Sequence, residues 1–253
     1  MIAEIGVQLM VIAALITLFA GVVKGAVGFA MPMIMISGIS SILPAETALA
    51  MLILPTVLSN VTQALRQGWR AARESVVRFR VYLLVGAVFL LLGAQLVPYL
   101  PSHILLLIIG VPVSAFALMQ LLGVQFHVAP ENRLKAEGMV ATIAGFIGGM
   151  SGVWGPPTMA YLTATNTPKQ EQVRVQGVIY GLGAVLLFLA HVQTGVVSMR
   201  TLPASALMLI PAGIGMLIGL AIQDRLDQAK FKKATLLVLV VAGLNLVRRG
   251  AMG

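Results

Sequence analysis

Ala20-Gly21-Val22-Val23-Lys24-Gly25-Ala26-Val27-Gly28-Phe29-Ala30-Met31-Pro32 and Ala144-Gly145-Phe146-Ile147-Gly148-Gly149-Met150-Ser151-Gly152-Val153-Trp154-Gly155-Pro156 are two copies of one pattern. One Ala, three Gly and one Pro recur in register, each 124 positions later in the second copy, and Pro44 and Pro168 keep the same offset. Both copies lie inside long apolar stretches. Interrupted hydrophobic segments at matching places in two halves are the sequence mark of a transporter's binding site.

The chain has 253 residues, 59% hydrophobic and 10% charged, with mean hydropathy +0.99. A soluble domain carries roughly 25% charged residues, so an ordinary globular core is excluded. A spanning helix needs ~20 apolar residues, and most of this chain qualifies. The net charge of +9 would suggest nucleic acid in a soluble protein; here it is read as Lys and Arg in cytoplasmic loops, and nucleic acid is not an expected partner. The absence of Cys excludes disulfides, thiolate metal sites and Cys nucleophiles. Ile2 to Val23 follows no basic n-region and precedes no Ala-x-Ala site, so it is expected to be retained membrane structure.

Apolar segments fall at 2–23, 26–43, 46–65, 77–97, 103–122, 138–149, 150–165, 172–193, 201–222 and 234–248, five per half. The expected fold is an all-α polytopic membrane protein. Residues 1–122 form a first transmembrane repeat, 123–137 a cytoplasmic linker and 138–253 a second repeat. Positive charge sets the orientation. Arg66, Arg70, Arg73, Arg78 and Arg80 crowd one loop, Arg133 and Lys135 lie in the linker, Lys169 and Arg174 flank the seventh-to-eighth connection, and Arg225, Lys230, Lys232 and Lys233 occupy the ninth-to-tenth. Alternating crossings bring these to one face and leave Arg200, Arg248 and Arg249 on the other. Five is odd, so the second half enters the membrane inverted, which makes the halves inverted-topology repeats. Segments 138–149 and 150–165, about 18 and 24 Å as helix, are shorter than a ~30 Å hydrocarbon core. They fit a broken or re-entrant hairpin, and 2–43 is its counterpart from the outside.

A helix broken in lipid leaves backbone groups that only protein or a water-filled cavity can cover. Gly25, Gly28, Gly149 and Gly152 permit close approach and positive φ, and Pro32 and Pro156 suit the first turn of a new helix. Each motif then ends at a helix N-terminus, which favours an anion. Ser151 offers a hydroxyl and Trp154 an indole N–H or a ring wall. The competing reading is that the glycines only let helices pack closely. Lys24 is an ionisable residue inside the membrane and a candidate to neutralise an anion, or it snorkels to a headgroup. Asn60, Gln63 and Arg66 form a polar stripe, either along a pathway or as interhelical partners. Arg174 and Gln176 open the eighth segment; the Arg174 fork suits an oxyanion, or anchors the cytoplasmic end. Glu46 and His191 are the proton-coupling candidates; the alternatives are a solvated helix-start carboxylate and an interfacial histidine.

The second motif, with Pro157 after Pro156, resembles the second signature of the sulfite exporter TauE/SafE family, and the first motif resembles its first. Many members carry Gly-Gly-Gly before the first Pro, where this chain has Gly28-Phe29-Ala30. The resemblance covers nearly the whole chain and implies a permease of the bacterial inner membrane, a multi-pass cell-membrane protein. It implies transport, often export, of sulfite, sulfonates or related sulfur-containing anions. A secondary transporter working by alternating access around a mid-membrane site is the first reading, and an anion channel on the same scaffold is the alternative. The partners expected are a small anionic substrate, a coupled ion, the lipid bilayer and a second copy in a homodimer. Without a His-Glu-x-x-His, Gly-x-Ser-x-Gly or Walker motif, no enzyme, metal or cofactor is expected.

Overall fold

The computed structural model describes residues 5–124, 127–222, 225 and 227–252. The first residues of the 2–23 segment, part of the 123–137 linker, and the side chains of Lys169 and Lys232 lie outside the described residues. The helices are α1 Val7–Val27, α2 Met31–Ser40, α3 Ala45–Leu65, α4 Trp69–Arg78, α5 Arg80–Leu96, α6 Ser102–Leu121, α7 Arg133–Ser151, α8 Gly155–Ala164, α9 Lys169–Gln193, α10 Leu202–Ile222 and α11 Gln228–Ala251. Among the described residues seven helices are long and apolar enough to cross a membrane, namely α1, α3, α5, α6, α9, α10 and α11. The chain is thus a polytopic helical membrane protein. In such a chain the helix is dictated by solvent, because lipid offers no partner to a free N–H or C=O.

Two expectations change. The Arg66–Arg80 stretch is not a loop, because Trp69–Arg78 forms α4. Its apolar residues are too few for a hydropathy window, yet they gather on one face. The segment read as 138–149 is the end of the 19-residue α7, about 28 Å long. Arg133, Lys135 and Glu137 in its first turns lower the hydropathy without breaking the helix. By contrast α2 and α8 have 10 residues each, about 15 Å or half a hydrocarbon core.

Pro44 and Pro168 are both N-caps, of α3 and α9, with φ −56° and −57°. Within α3, Pro55 removes the N–H that the Met51 carbonyl would accept. Ser205 of α10 repairs the gap: its hydroxyl donates to the Met51 carbonyl (3.4 Å) and accepts the Leu54 N–H (3.2 Å).

Helices pair through glycine. α1 lies on α10, and α5 on α7. A Cβ on Gly21 or Gly25 would strike the Ala212 or Met216 carbonyl, and one on Gly215 or Gly219 the Leu18 or Val22 carbonyl. In the other pair, Gly145 and Gly149 stand over the Gly86 and Leu90 carbonyls, and Gly93 over Phe146. Backbones approach this closely only where no side chain intervenes. The remaining main pairings are α3 with α9, α6 with α11, α3 with α10, and α5 with α9. α1 ends beside Gln63 and Val173 at the Arg-rich end, whereas α7 starts at that end and finishes beside Leu52 and Leu187.

Candidate functional site

Each motif builds a helical hairpin. α1 stops at Gly28 (φ 82°), whose N–H caps the Lys24 carbonyl at 2.8 Å. α7 stops at Gly152 (φ 71°), whose N–H caps the Gly148 carbonyl at 2.7 Å. A left-handed glycine is the common way to end a helix. α2 then runs back along α1, so that Gly38 meets the Ile16 side chain. α8 runs back along α7, so that the Tyr161 hydroxyl donates to Glu137 Oε2 at 3.2 Å. Both tips are buried in protein, with Lys24, Ala26, Phe29, Ala30 and Met31 in one and Ser151, Val153 and Trp154 in the other.

Ala30, the N-cap of α2, has φ 75°. A side chain in that region costs about 1–2 kcal/mol. Ala30→Gly is therefore expected to stabilise the protein by up to about 1 kcal/mol, after the added freedom of the unfolded chain is subtracted. A thermal unfolding comparison checks it.

Lys24 is 2% exposed. Its Nζ donates to Asn60 Oδ1 at 2.6 Å and stands 5.8 Å from the centre of the Tyr180 ring. Among the described residues no carboxylate pairs with it. A buried charge is stable only when paired or richly hydrogen-bonded, so this ammonium is half-served by protein. Lys24, Gly25, Gly28 and Gln63 line a cavity of about 350 Å³, together with Arg66 and Val173. Gln63 Nε2 donates to the Val173 carbonyl at 2.7 Å, while Gln63 Oε1 and Asn60 Nδ2 have no hydrogen-bond partner among the described residues. The cavity is bordered at the Arg-rich end by exposed Thr62, Leu65 and Arg66.

The second tip is built differently. Gly148 occupies the position equivalent to Lys24, and the Trp154 ring fills the space there: a Cβ on Gly148 would lie 2.6 Å from Trp154 Cε3. The Ser151 hydroxyl is used by backbone, donating to Ile147 O (2.7 Å) and accepting the Val153 N–H (3.1 Å). Pro32 stands in the first turn of α2, and Pro156 in that of α8. Pro157 follows Pro156, so two of the three amides that open α8 are missing and only Gly155 N–H remains. Tyr180 joins the tips: its ring lies 6.3 Å from that of Trp154, its hydroxyl donates to the Gly155 carbonyl at 3.3 Å, and its face meets Lys24.

Gly25 and Gly149 sit on α10 and α5 backbone, whereas Gly28 and Gly152 hold left-handed turns. Arg174 does not reach the cavity wall. Its Nε donates to Ser75 Oγ (2.9 Å), its Nη1 to Gln67 Oε1 (3.1 Å), and Glu171 lies 3.9 Å away. Gln176 donates to the Met159 sulfur at 2.7 Å, tying α9 to α8. Glu46 is exposed in the first turn of α3. His191, in the last turn of α9, is fully buried in the protein. Its Nε2 faces the Gly149 carbonyl at 3.0 Å and its Nδ1 the Thr194 hydroxyl at 3.2 Å. A carbonyl only accepts, so Nε2 carries the proton, and His191 serves one of the carbonyls orphaned where α7 ends.

Sequence reasoning missed Tyr180 and Glu137. Tyr180 resembles any aromatic residue in an apolar run. Glu137 is buried, and its carboxylate accepts the Tyr82 N–H at 2.9 Å, capping the first turn of α5 from another helix. An acidic residue just ahead of an apolar run was the available signal.

A family model described as sulfite exporter TauE/SafE matches residues 13–246. No curated protein and no solved structure matches the chain.

Proposed function

This chain belongs to the sulfite exporter TauE/SafE family, a family of membrane transporters, and we propose that within it the protein is a secondary transporter that exports a small sulfur-containing anion, a sulfonate or sulfite, across the bacterial inner membrane. The observation that carries this reading is Lys24, a buried ammonium with one amide partner and no described carboxylate, on the wall of a cavity that also holds Gln63. A tetrahedral or pyramidal sulfur oxyanion supplies the missing negative charge and several acceptors. Lys24 Nζ and the Gly28 region are the groups it would meet first. The mouth at Thr62 and Arg66 lies at the Arg-rich end, which the distribution of positive charge makes cytoplasmic. A cavity opening there suits uptake of cargo from the cytoplasm.

The two halves, α1–α6 and α7–α11, are inverted repeats with re-entrant α1–α2 and α7–α8 hairpins, and they rock about the paired α3 and α9. The pairing pattern supports this. Exchanging the halves turns α1–α10 into α7–α5 and α3–α10 into α9–α5, and returns α3–α9 and α6–α11 to themselves. The opposite directions of α1 and α7 support it too. His191 is the residue through which a proton would couple to transport, because its Nε2–H holds the second hairpin at Gly149. Purified protein in vesicles is expected to show saturable flux of a labelled sulfonate and counterflow. Flux that rises without saturation and shows no counterflow would contradict a carrier.

A further inference from the structure

α4 joins the spans Ala45–Leu65 and Arg80–Tyr99, which fixes it at a membrane surface. Its exposed residues include Trp69 (73%) and Val77 (59%), with Arg70 and Arg73 beside them. Arg78 is occupied by Glu171, whereas the Arg70 and Arg73 guanidinium groups make no ion pair or hydrogen bond among the described residues. Next to α4 runs a groove of about 420 Å³ between α3 and α9. Val61 and Leu65 form one wall, and Gly177, Gly181, Leu182 and Val185 the other. Its floor is deep because Gly177 rests on the Ala64 backbone. From Gly177 to Val185 the groove follows about 12 Å of helix, close to one leaflet, half of a ~30 Å core. Trp69 and Arg73 close the end of this groove and also border the surface that α4 forms with Arg70, Glu74 and Arg78, where the arginines outnumber the one carboxylate.

We propose that this groove and α4 form a binding site for an anionic phospholipid, with the headgroup phosphate on Arg70 and Arg73, Trp69 at the interface, and one acyl chain along α3 and α9. The chemistry selects this occupant. An apolar trough alone would take any lipid, and arginines alone any anion; only an anionic amphiphile uses both, in the geometry that basic interfacial helices present to membranes. A lipid here touches α3 and α9, which also carry Gln63 and Val173 of the Lys24 cavity, with Leu65 bordering both spaces, and Arg174 ties the same α4 to α9.

The chain has two Trp, and Trp154 is buried, so quenching by lipids with brominated chains reports on Trp69. The full-length protein is placed in phosphatidylcholine vesicles doped with the same small mole fraction of brominated phosphatidylglycerol or brominated phosphatidylcholine. Brominated phosphatidylglycerol is expected to quench several-fold more strongly. Arg70→Gln with Arg73→Gln should abolish that preference, since each arginine contributes about fivefold in affinity for an anionic lipid. Val185→Phe, which fills the groove, should cut it as well. Arg200→Gln, beyond the far end of α9, should leave it intact. Equal quenching by the two lipids overturns the proposal and leaves only annular lipid. A preference that survives the arginine pair also overturns it; if that pair prevents folding, a preference undiminished in Val185→Phe does so instead.

Discussion

Lys24→Gln is expected to abolish measurable anion transport while leaving the protein folded. A hydrogen bond to a charged group contributes about 1.5–3 kcal/mol, which is roughly 10- to 100-fold in affinity. Among the described residues the ammonium is the one buried cation on the cavity wall, so its loss removes both the charge and the donor. Stability should move little. Asn60 Oδ1 loses its lysine partner, but a desolvated charge is removed at the same time, and such replacements are often neutral or stabilising. The thermal midpoint is expected to stay within ~4 °C of the parent. Wild-type flux in vesicles would reduce Lys24 to a structural cation. A folding failure would mean that it holds α1 to α3.

The second large effect separates glycines that look alike. Gly149→Ala and Gly25→Ala are expected to cost ~3 kcal/mol or more and to lower the yield of folded protein sharply. The added Cβ would lie on the Leu90 or Met216 carbonyl, and two helix backbones cannot yield as a side chain can. Gly28→Ala has nothing nearer than 3.8 Å, so it pays only the left-handed penalty of about 1–2 kcal/mol and should still be recovered. Thermal unfolding of the purified variants checks both. Similar losses at Gly28 and Gly149 would contradict the division of roles.

How far each of these features could be read in advance depends on where its partners lie in the chain. The helix breaks were legible, because Gly and Pro act on their own neighbours: α1 and α7 end at Gly28 and Gly152. Lys24 was legible because an ammonium in an apolar run stands out. The helix α4 was not, since its apolar residues occupy only one face and its charges dominate any average. Nor could Gly25 be told from Gly28, because the need for Gly25 comes from α10, nearly 200 residues later. Arg174 matched an oxyanion partner by chemistry alone. Its partners Ser75 and Gln67 lie 99 and 107 positions away, and only the packing of α4 against α9 brings them together. Tyr180 carried no local signal, yet it touches both tips.

The most direct test uses the absence of native cysteine. Thr62→Cys places a single thiol on the wall of the Lys24 cavity, where an impermeant maleimide reaches it from the Arg-rich face. Sulfite and small sulfonates are expected to slow its labelling saturably, and Lys24→Gln to erase that protection. Labelling that ignores these anions, or that they slow equally in the Lys24→Gln background, would contradict an anion site built on Lys24.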